Sequence, residues 1–157
     1  MDFLKSFGIE ADKGKHYEEI AHSIALLYNL IEAKVSSYLS TFNLTSAKFN
    51  VLMVLKHQAG HMGMSQVDIS KHLIVTASNM TRLLDKLEKE GFVQRSALKN
   101  DRRVKTIKIT PKGSQLLDRA WPGYESLLKN LTSLLGSSDQ KILSGLLIKW
   151  IEKLMKP

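Results

Sequence analysis

Apolar positions along the chain recur at two different periods, and the place where the period changes marks its architecture. Over residues 15–42 the positions Tyr17, Ile20, Ala21, Ile24, Leu27, Tyr28, Ile31, Val35, Tyr38, Leu39 and Phe42 follow the helical repeat, which predicts one helix roughly 40 Å long at about 1.5 Å per residue. The fourteen residues before it read as a loosely held arm, with Phe3, Leu4, Phe7 and Ile9 apolar enough to dock. Thr45 is suited to cap a second helix with Phe49, Leu52, Met53 and Leu55 as core positions, ending before Gly60. Residues 61–64 predict a connector or a minimal strand. Ser65, three residues before Asp68, has capping-box spacing and opens a third helix to about His72. Leu73, Ile74 and Val75 make a turn, and Thr76 caps a fourth helix whose buried stripe is Met80, Leu83, Leu84 and Leu87. Gly91 stops that helix, and Phe92 suits the apolar contact that accompanies a glycine C-cap.

The period then drops to two. Residues 93–96 and 104–110 read as strands, Ile107 and Ile109 facing one way and Thr106 and Lys108 the other. Between them Lys99, Asn100, Asp101, Arg102 and Arg103 form a turn, with two arginines at an exposed tip where folding has no need of them. Helical spacing resumes with Thr110 as cap and Pro111 in the first turn, and the helix is expected to reach about Leu135, with a kink at Pro122-Gly123. After Gly136, Ser137 and Gln140 have capping-box spacing for a last helix carrying Leu143, Leu146, Leu147, Trp150, Ile151 and Leu154. The expected fold is mainly α with a small β-hairpin wing: a winged helix-turn-helix with long terminal helices. Apolar stripes on the first, fifth and last helices would leave large patches on a monomer, so a dimerisation bundle is expected.

The polar face of the fourth helix carries the candidate chemistry. Ser78, Thr81, Arg82 and Asp85 fall at i, i+3, i+4 and i+7, with Asn79 and Lys86 beside them. A helix N-terminus offers free N–H groups and a positive dipole end to phosphates, while Ser, Asn, Thr and Arg reach base edges in a groove. Candidate DNA-contacting residues are therefore Thr76, Ser78, Asn79, Thr81, Arg82 and Lys86 on the helix and Lys99, Arg102 and Arg103 on the wing, whose tip suits a minor groove.

Charge agrees. The chain is 157 residues with a net charge of +8, and residues 64–112 hold eleven Lys and Arg against five Asp and Glu, a net of +6. Such local concentration favours a polyanionic partner, here double-stranded DNA. With 43% hydrophobic residues the chain can bury one sizeable core. The chain has no cysteine, so disulfides and thiolate chemistry are excluded. No apolar run is long enough to span a membrane, and the first fourteen residues lack the core of a signal peptide, so a soluble cytoplasmic protein without membrane partners is expected. Without a cysteine nucleophile, a glycine-rich phosphate loop or a paired His and carboxylate motif, neither an enzyme nor a cofactor is expected. His57, His61 and His72 keep a metal-responsive regulator as one alternative, although Gly60 separates the first two and no carboxylate stands at matching spacing, so no metal ligand is assigned. The other alternative is a nonspecific architectural DNA-binding protein, which the Ser, Asn, Thr and Arg mix of the fourth helix disfavours.

The run Leu83-Leu84-Asp85-Lys86-Leu87-Glu88-Lys89-Glu90-Gly91-Phe92-Val93, followed by Asp101-Arg102-Arg103 and by Ile109-Thr110-Pro111-Lys112-Gly113, resembles the MarR family of bacterial transcriptional regulators. The likeness covers about fifty residues closely, and Ile74 stands in the turn where relatives often carry glycine. It implies a sequence-specific regulator, a repressor in the simplest reading, acting as a homodimer of interleaved terminal helices on a palindromic operator. It also implies a bracing Asp101 that holds Arg103 for the minor groove and leaves Arg102 for a phosphate. Relatives bind phenolic compounds where the dimer core joins the winged domain, which points to Tyr38, Phe42 and Trp121 for a small aromatic ligand. The implied organisation is 1–44 arm and dimerisation helix, 45–110 DNA-binding domain and 111–157 dimerisation helices.

Overall fold

The computed structural model describes Lys5 and residues 16–60, 62–73, 77–98 and 101–156, with backbone alone at 77, 97–98 and 101–105. The elements are α1 (His16–Ser40), α2 (Ser46–Gln58), β1 (Met64–Ser65), α3 (Gln66–Leu73), α4 (Ala77–Lys89), β2 (Val93–Leu98), β3 (Asp101–Ile109), α5 (Pro111–Thr132) and α6 (Ser137–Leu154). They form two compact units, the first ending at Ala120 and the second beginning at Trp121. This is the expected winged helix-turn-helix with long terminal helices.

The buried core lies in the first unit. Val35 and Leu39 of α1, Phe49, Val51, Leu52 and Leu55 of α2, Ile69 of α3, Met80, Leu84 and Leu87 of α4, Val93 and Ile107 of the sheet, and Leu116, Leu117 and Ala120 of α5 are all buried. Val51 therefore joins the expected α2 core, whereas Met53 is only half-buried. The first part of the expected stripe stays bare, with Tyr17, Ile20, Ile24, Leu27, Tyr28 and Ile31 exposed and Leu30 exposed beside them, while Tyr38 and Phe42 are half-buried.

Helix ends follow their caps. Sequence periodicity carries α1 to Phe42, but the helix stops at Ser40 because Asn43 turns left-handed (φ 56°), and the Leu44 N–H donates to the Leu39 carbonyl at 3.1 Å. Thr45 caps α2, its side chain accepting from the Lys48 N–H at 3.3 Å. Leu73, expected in the turn, is the last residue of α3. In the second unit Gly136, not Ser137, is the N-cap of α6. Ser137 is thereby moved into the first turn, and the Gln140 side chain reaches the Leu135 carbonyl at 2.9 Å instead of closing a capping box. The preceding helix, α5, contains Pro122 and ends at Thr132, three residues short of the expectation.

The sheet has the order β1-β3-β2, antiparallel throughout, so of the two options for residues 61–64 a minimal strand forms, but at Met64–Ser65. Met64 pairs with Ile107 and Ser65 with Thr106 on one side of β3, while Arg95 pairs with Ile107 and Ser96 with Thr106 on the other. Thr106 is buried, against the simple alternation, because it sits on the central strand and its hydroxyl lies 3.1 Å from that of Ser96. Asp101, Arg102 and Arg103, expected in the tip turn, belong to β3; the pairing jumps from Ala97–Lys105 to Leu98–Asp101, so the two arginines lie in a bulge.

Candidate nucleic-acid interface

The interface is built from α3, α4 and the hairpin. Ser65 opens α3: its hydroxyl accepts the Asp68 N–H at 3.2 Å and donates to the Asp68 carboxylate at 2.7 Å. That hydrogen bond, outweighing desolvation and helped by the Lys71 charge 3.5 Å away, holds the Asp68 carboxyl below its ordinary value. The apolar stripe of α4 seats the helix with Met80, Leu84 and Leu87 fully buried and Leu83 half-buried. At the far end the Phe92 N–H donates to the Leu87 carbonyl and the Gly91 N–H to the Glu88 carbonyl, both at 2.9 Å, with Gly91 at φ 77° supplying the left-handed turn. Lys48 of α2 ties the same end down through the Glu90 carboxylate at 2.5 Å.

Seating that stripe turns Ser78, Asn79, Thr81, Arg82 and Lys86 outward, and all five are exposed. Asn79, Arg82 and Lys86 line a concavity of about 370 Å³ shared with Ala47 at the start of α2. Thr81 also serves the scaffold, because its hydroxyl accepts from Gln66 Nε2 at 2.6 Å, linking α4 to the first turn of α3 and fixing the two helices against each other. Gln66 was not foreseen from sequence, since a contact fifteen residues apart leaves no periodic signal.

Asp85, the fourth residue of that polar face, is engaged by the protein itself. Arg95 Nη2 of β2 donates to its Oδ1 at 2.7 Å, Nη1 meets the Glu88 carboxylate, and the Arg95 N–H donates to Glu88 Oε1 at 3.1 Å. The Arg95 side chain is only 21% exposed, while Asp85 and Glu88 remain 58% and 38% exposed. Burial works against its charge, but the hydrogen bonds and charges of the two carboxylates outweigh it and hold the guanidinium above its ordinary pKa. Arg95 is not among the sequence candidates: Asp85 and Glu88 at i and i+3 show that two carboxylates share a helix face, but not that Arg95 of β2 meets them.

Thr76 and Lys99 lie outside the described residues, as do the side chains of Asp101, Arg102 and Arg103. Tyr38 and Phe42 come together, ring centroids 5.4 Å apart, and the Tyr38 hydroxyl donates to the Ala120 carbonyl at 2.8 Å. Trp121 belongs to the second unit, where it packs on Tyr124 at 5.6 Å. His57 lies on α2 and His72 on α3, and His61 is outside the described residues; among those described, no three His, Cys, Asp or Glu side chains are grouped to hold a metal ion. Among the described residues no helix is long and apolar enough to cross a membrane.

Comparison with known proteins agrees with this geometry. The profile of the MarR family matches residues 44–105. An HTH-type transcriptional regulator of Bacillus cereus is 32% identical over 115 residues, 73% of this chain and 74% of the relative. The HTH-type transcriptional regulator PapX of Escherichia coli is 31% identical over 103 residues, 66% of this chain and 62% of PapX. Among solved structures, a mutant E. coli MarR complexed with operator DNA superposes with a TM-score of 0.79 at 25% identity, covering 93% of this chain and all (100%) of the other. The S. aureus MepR–DNA complex gives 0.77 at 24% identity, covering 85% and 96%.

Proposed function

The chain belongs to the MarR family and is a DNA-binding transcription regulator, and from that premise we propose that it acts as a homodimeric, ligand-responsive repressor on a palindromic operator. The observation that carries the reading is the outward face of α4, with Ser78, Asn79, Arg82 and Lys86 exposed on a helix clamped at both ends. Asn79 and Arg82 read base edges in the major groove, and Ser78, Thr81 and Lys86, with Thr76 at the helix start, hold phosphates. On the hairpin, Arg103 enters the minor groove with Asp101 bracing it, while Lys99 and Arg102 contact the backbone. Residues 45–110 do this work, and 1–44 and 111–157 join the subunits.

Dimerisation is supported by what the chain leaves bare. The apolar face of α1 is exposed, and α6 buries no residue, with Ile142, Leu146, Ile148, Ile151 and Leu154 all exposed. Two-fold pairing of such faces places two recognition helices one turn of DNA apart, which a palindrome requires. Repression needs only occupancy of a promoter site by such a reader in the cytoplasm. An aromatic acid seated beside Tyr38 and Phe42, which pack together in the first unit, would favour a dimer whose recognition helices no longer match the DNA repeat. The regulator reading also disfavours catalysis, and His57 and His72 are surface groups on this view.

The test is selection of bound fragments from the source genome, followed by titration of a selected fragment against random DNA and a screen of aromatic acids for release. The reading expects one palindromic site class bound at least about a thousandfold more tightly than random sequence. Equal affinity for both would favour the architectural alternative, and no release by any compound that raises the melting temperature would remove the ligand response.

A further inference from the structure

The hairpin is three-stranded only over its two middle rungs. Met64 and Ser65 of β1 pair with Ile107 and Thr106, which are the residues opposite Arg95 and Ser96 of β2. From there outward the wing continues as β2 and β3 alone, to Leu98 and Asp101. A two-stranded ribbon is weakly held by itself, so its direction is set where it leaves the three-stranded part. Arg95 lies in that three-stranded part, one rung before the last.

Arg95 is bound there on three sides. Its guanidinium joins Asp85 and Glu88, successive positions of one face of α4, and its backbone N–H donates to the same Glu88 carboxylate. A forked guanidinium across two carboxylates defines direction in a way a single point charge does not. We propose that Arg95 is a positioning residue that locks the wing to the recognition helix, so that hairpin and helix engage DNA as one rigid reader. The inference rests on the reading that both elements face DNA.

Its consequence is leverage. Leu98, paired with Asp101, lies three residues beyond Arg95, about 10 Å of extended chain, so a swing of about 15° at Arg95 displaces that end of the ribbon by about 2.5 Å. That is enough to lose a groove contact while the core is untouched. It also gives a role to two carboxylates on a helix that faces a polyanion: both are engaged by Arg95, which offsets one of their two charges.

The absence of cysteine allows clean labelling. Spin labels at Lys89→Cys on α4 and Ala97→Cys on β2 report the angle between helix and wing through their distance distribution. With Arg95→Gln the distribution should broaden, and affinity for a selected fragment should fall about tenfold or more while the melting temperature stays within a few degrees; Arg95→Lys should recover part of both. Glu88→Gln removes a negative charge beside DNA, so a pure charge effect tightens binding, whereas the lock predicts weaker binding and no further loss on adding it to Arg95→Gln. Tighter binding by Glu88→Gln, or unchanged distances and affinity with Arg95→Gln, would overturn the proposal. A salt slope reduced by about one with unchanged distances would overturn it too, making Arg95 a phosphate contact. Should the unmodified protein bind no selected fragment, the interface reading fails, and the distance distribution still decides the lock.

Discussion

The Thr110 hydroxyl donates to the Gly91 carbonyl at 2.7 Å and accepts the Gly113 N–H at 3.1 Å, so one side chain closes the end of the recognition helix and opens α5. Around it the Thr110 N–H donates to the Phe92 carbonyl at 3.0 Å, and Lys112 donates to the Glu90 carbonyl at 2.8 Å while lying 5.0 Å above the Phe92 ring. The segments Gly91-Phe92 and Thr110-Pro111-Lys112-Gly113 are thus two halves of a single clasp.

The clasp predicts an unusual glycine. A Cβ on Gly113 would lie 2.2 Å from the Phe92 carbonyl oxygen, a backbone atom held in its own hydrogen bond. Helix propensity alone would favour Gly113→Ala by about 1 kcal/mol. Overpacking against backbone costs about 1 to 3 kcal/mol and commonly more when nothing can move, so the clash wins. Gly113→Ala should lower the thermal midpoint by several degrees, and a raised midpoint would show the contact to be soft. Thr110→Val should cost about 0.5 to 2 kcal/mol through the lost cap.

A second prediction concerns acid. The Ser65 hydroxyl, opposed by desolvation and aided by Lys71, lowers the folded pKa of Asp68 beneath the ordinary 3.8. A depressed carboxyl contributes stability above its unfolded pKa and loses it as pH falls through the folded value. The melting difference between the unaltered chain and Ser65→Ala should therefore be full at neutral pH and shrink below about pH 4, leaving the pH-independent part of the cap. A difference that grows on acidification would reverse the assigned sign.

How far the sequence could be read follows from the range of each interaction. The stripe of Met80, Leu84 and Leu87, the Thr45 cap and the stop at Gly91 are local patterns, and each stands where the sequence placed it. Asn43 is hard to read as a helix stop because asparagine enters the left-handed region less often than glycine, and Gly136 outcompeted Ser137 for the cap of α6 because both were admissible. Gln66 with Thr81, and Arg95 with Asp85 and Glu88, are tertiary pairings that no period encodes. The polar face of α4 was legible as a face, but Asp85 changed meaning once a partner lay opposite.

The third prediction is oligomeric. If the bare faces of α1 and α6 form the proposed interface, sedimentation at micromolar concentration should give twice the 17.7 kDa chain mass. Truncation after Gly136 removes α6 and should abolish that species. An intact chain that sediments as a monomer would refute the dimer and, with it, two half-sites.

The last prediction separates reading from mere attraction at the recognition helix. Arg82 and Asn79 are both exposed and share the concavity beside α2 with Lys86, so all three are available to DNA. They differ in what they can tell apart. Arginine and asparagine pair bidentately with guanine and adenine edges, whereas a lysine on the outer turn offers a point charge to a phosphate. Arg82→Ala and Asn79→Ala should each cost about 1 to 3 kcal/mol on a selected fragment and far less on random DNA. Lys86→Ala should weaken both alike and reduce the salt slope by about one. Because Thr81 also anchors Gln66, Thr81→Ala should lower stability as well as binding, and its melting temperature must be measured beside its affinity. Equal losses on both DNAs for Arg82→Ala and Asn79→Ala would reduce the face to a phosphate-binding surface. A loss confined to the selected fragment, at one base position for each variant, would fix which residue reads which base.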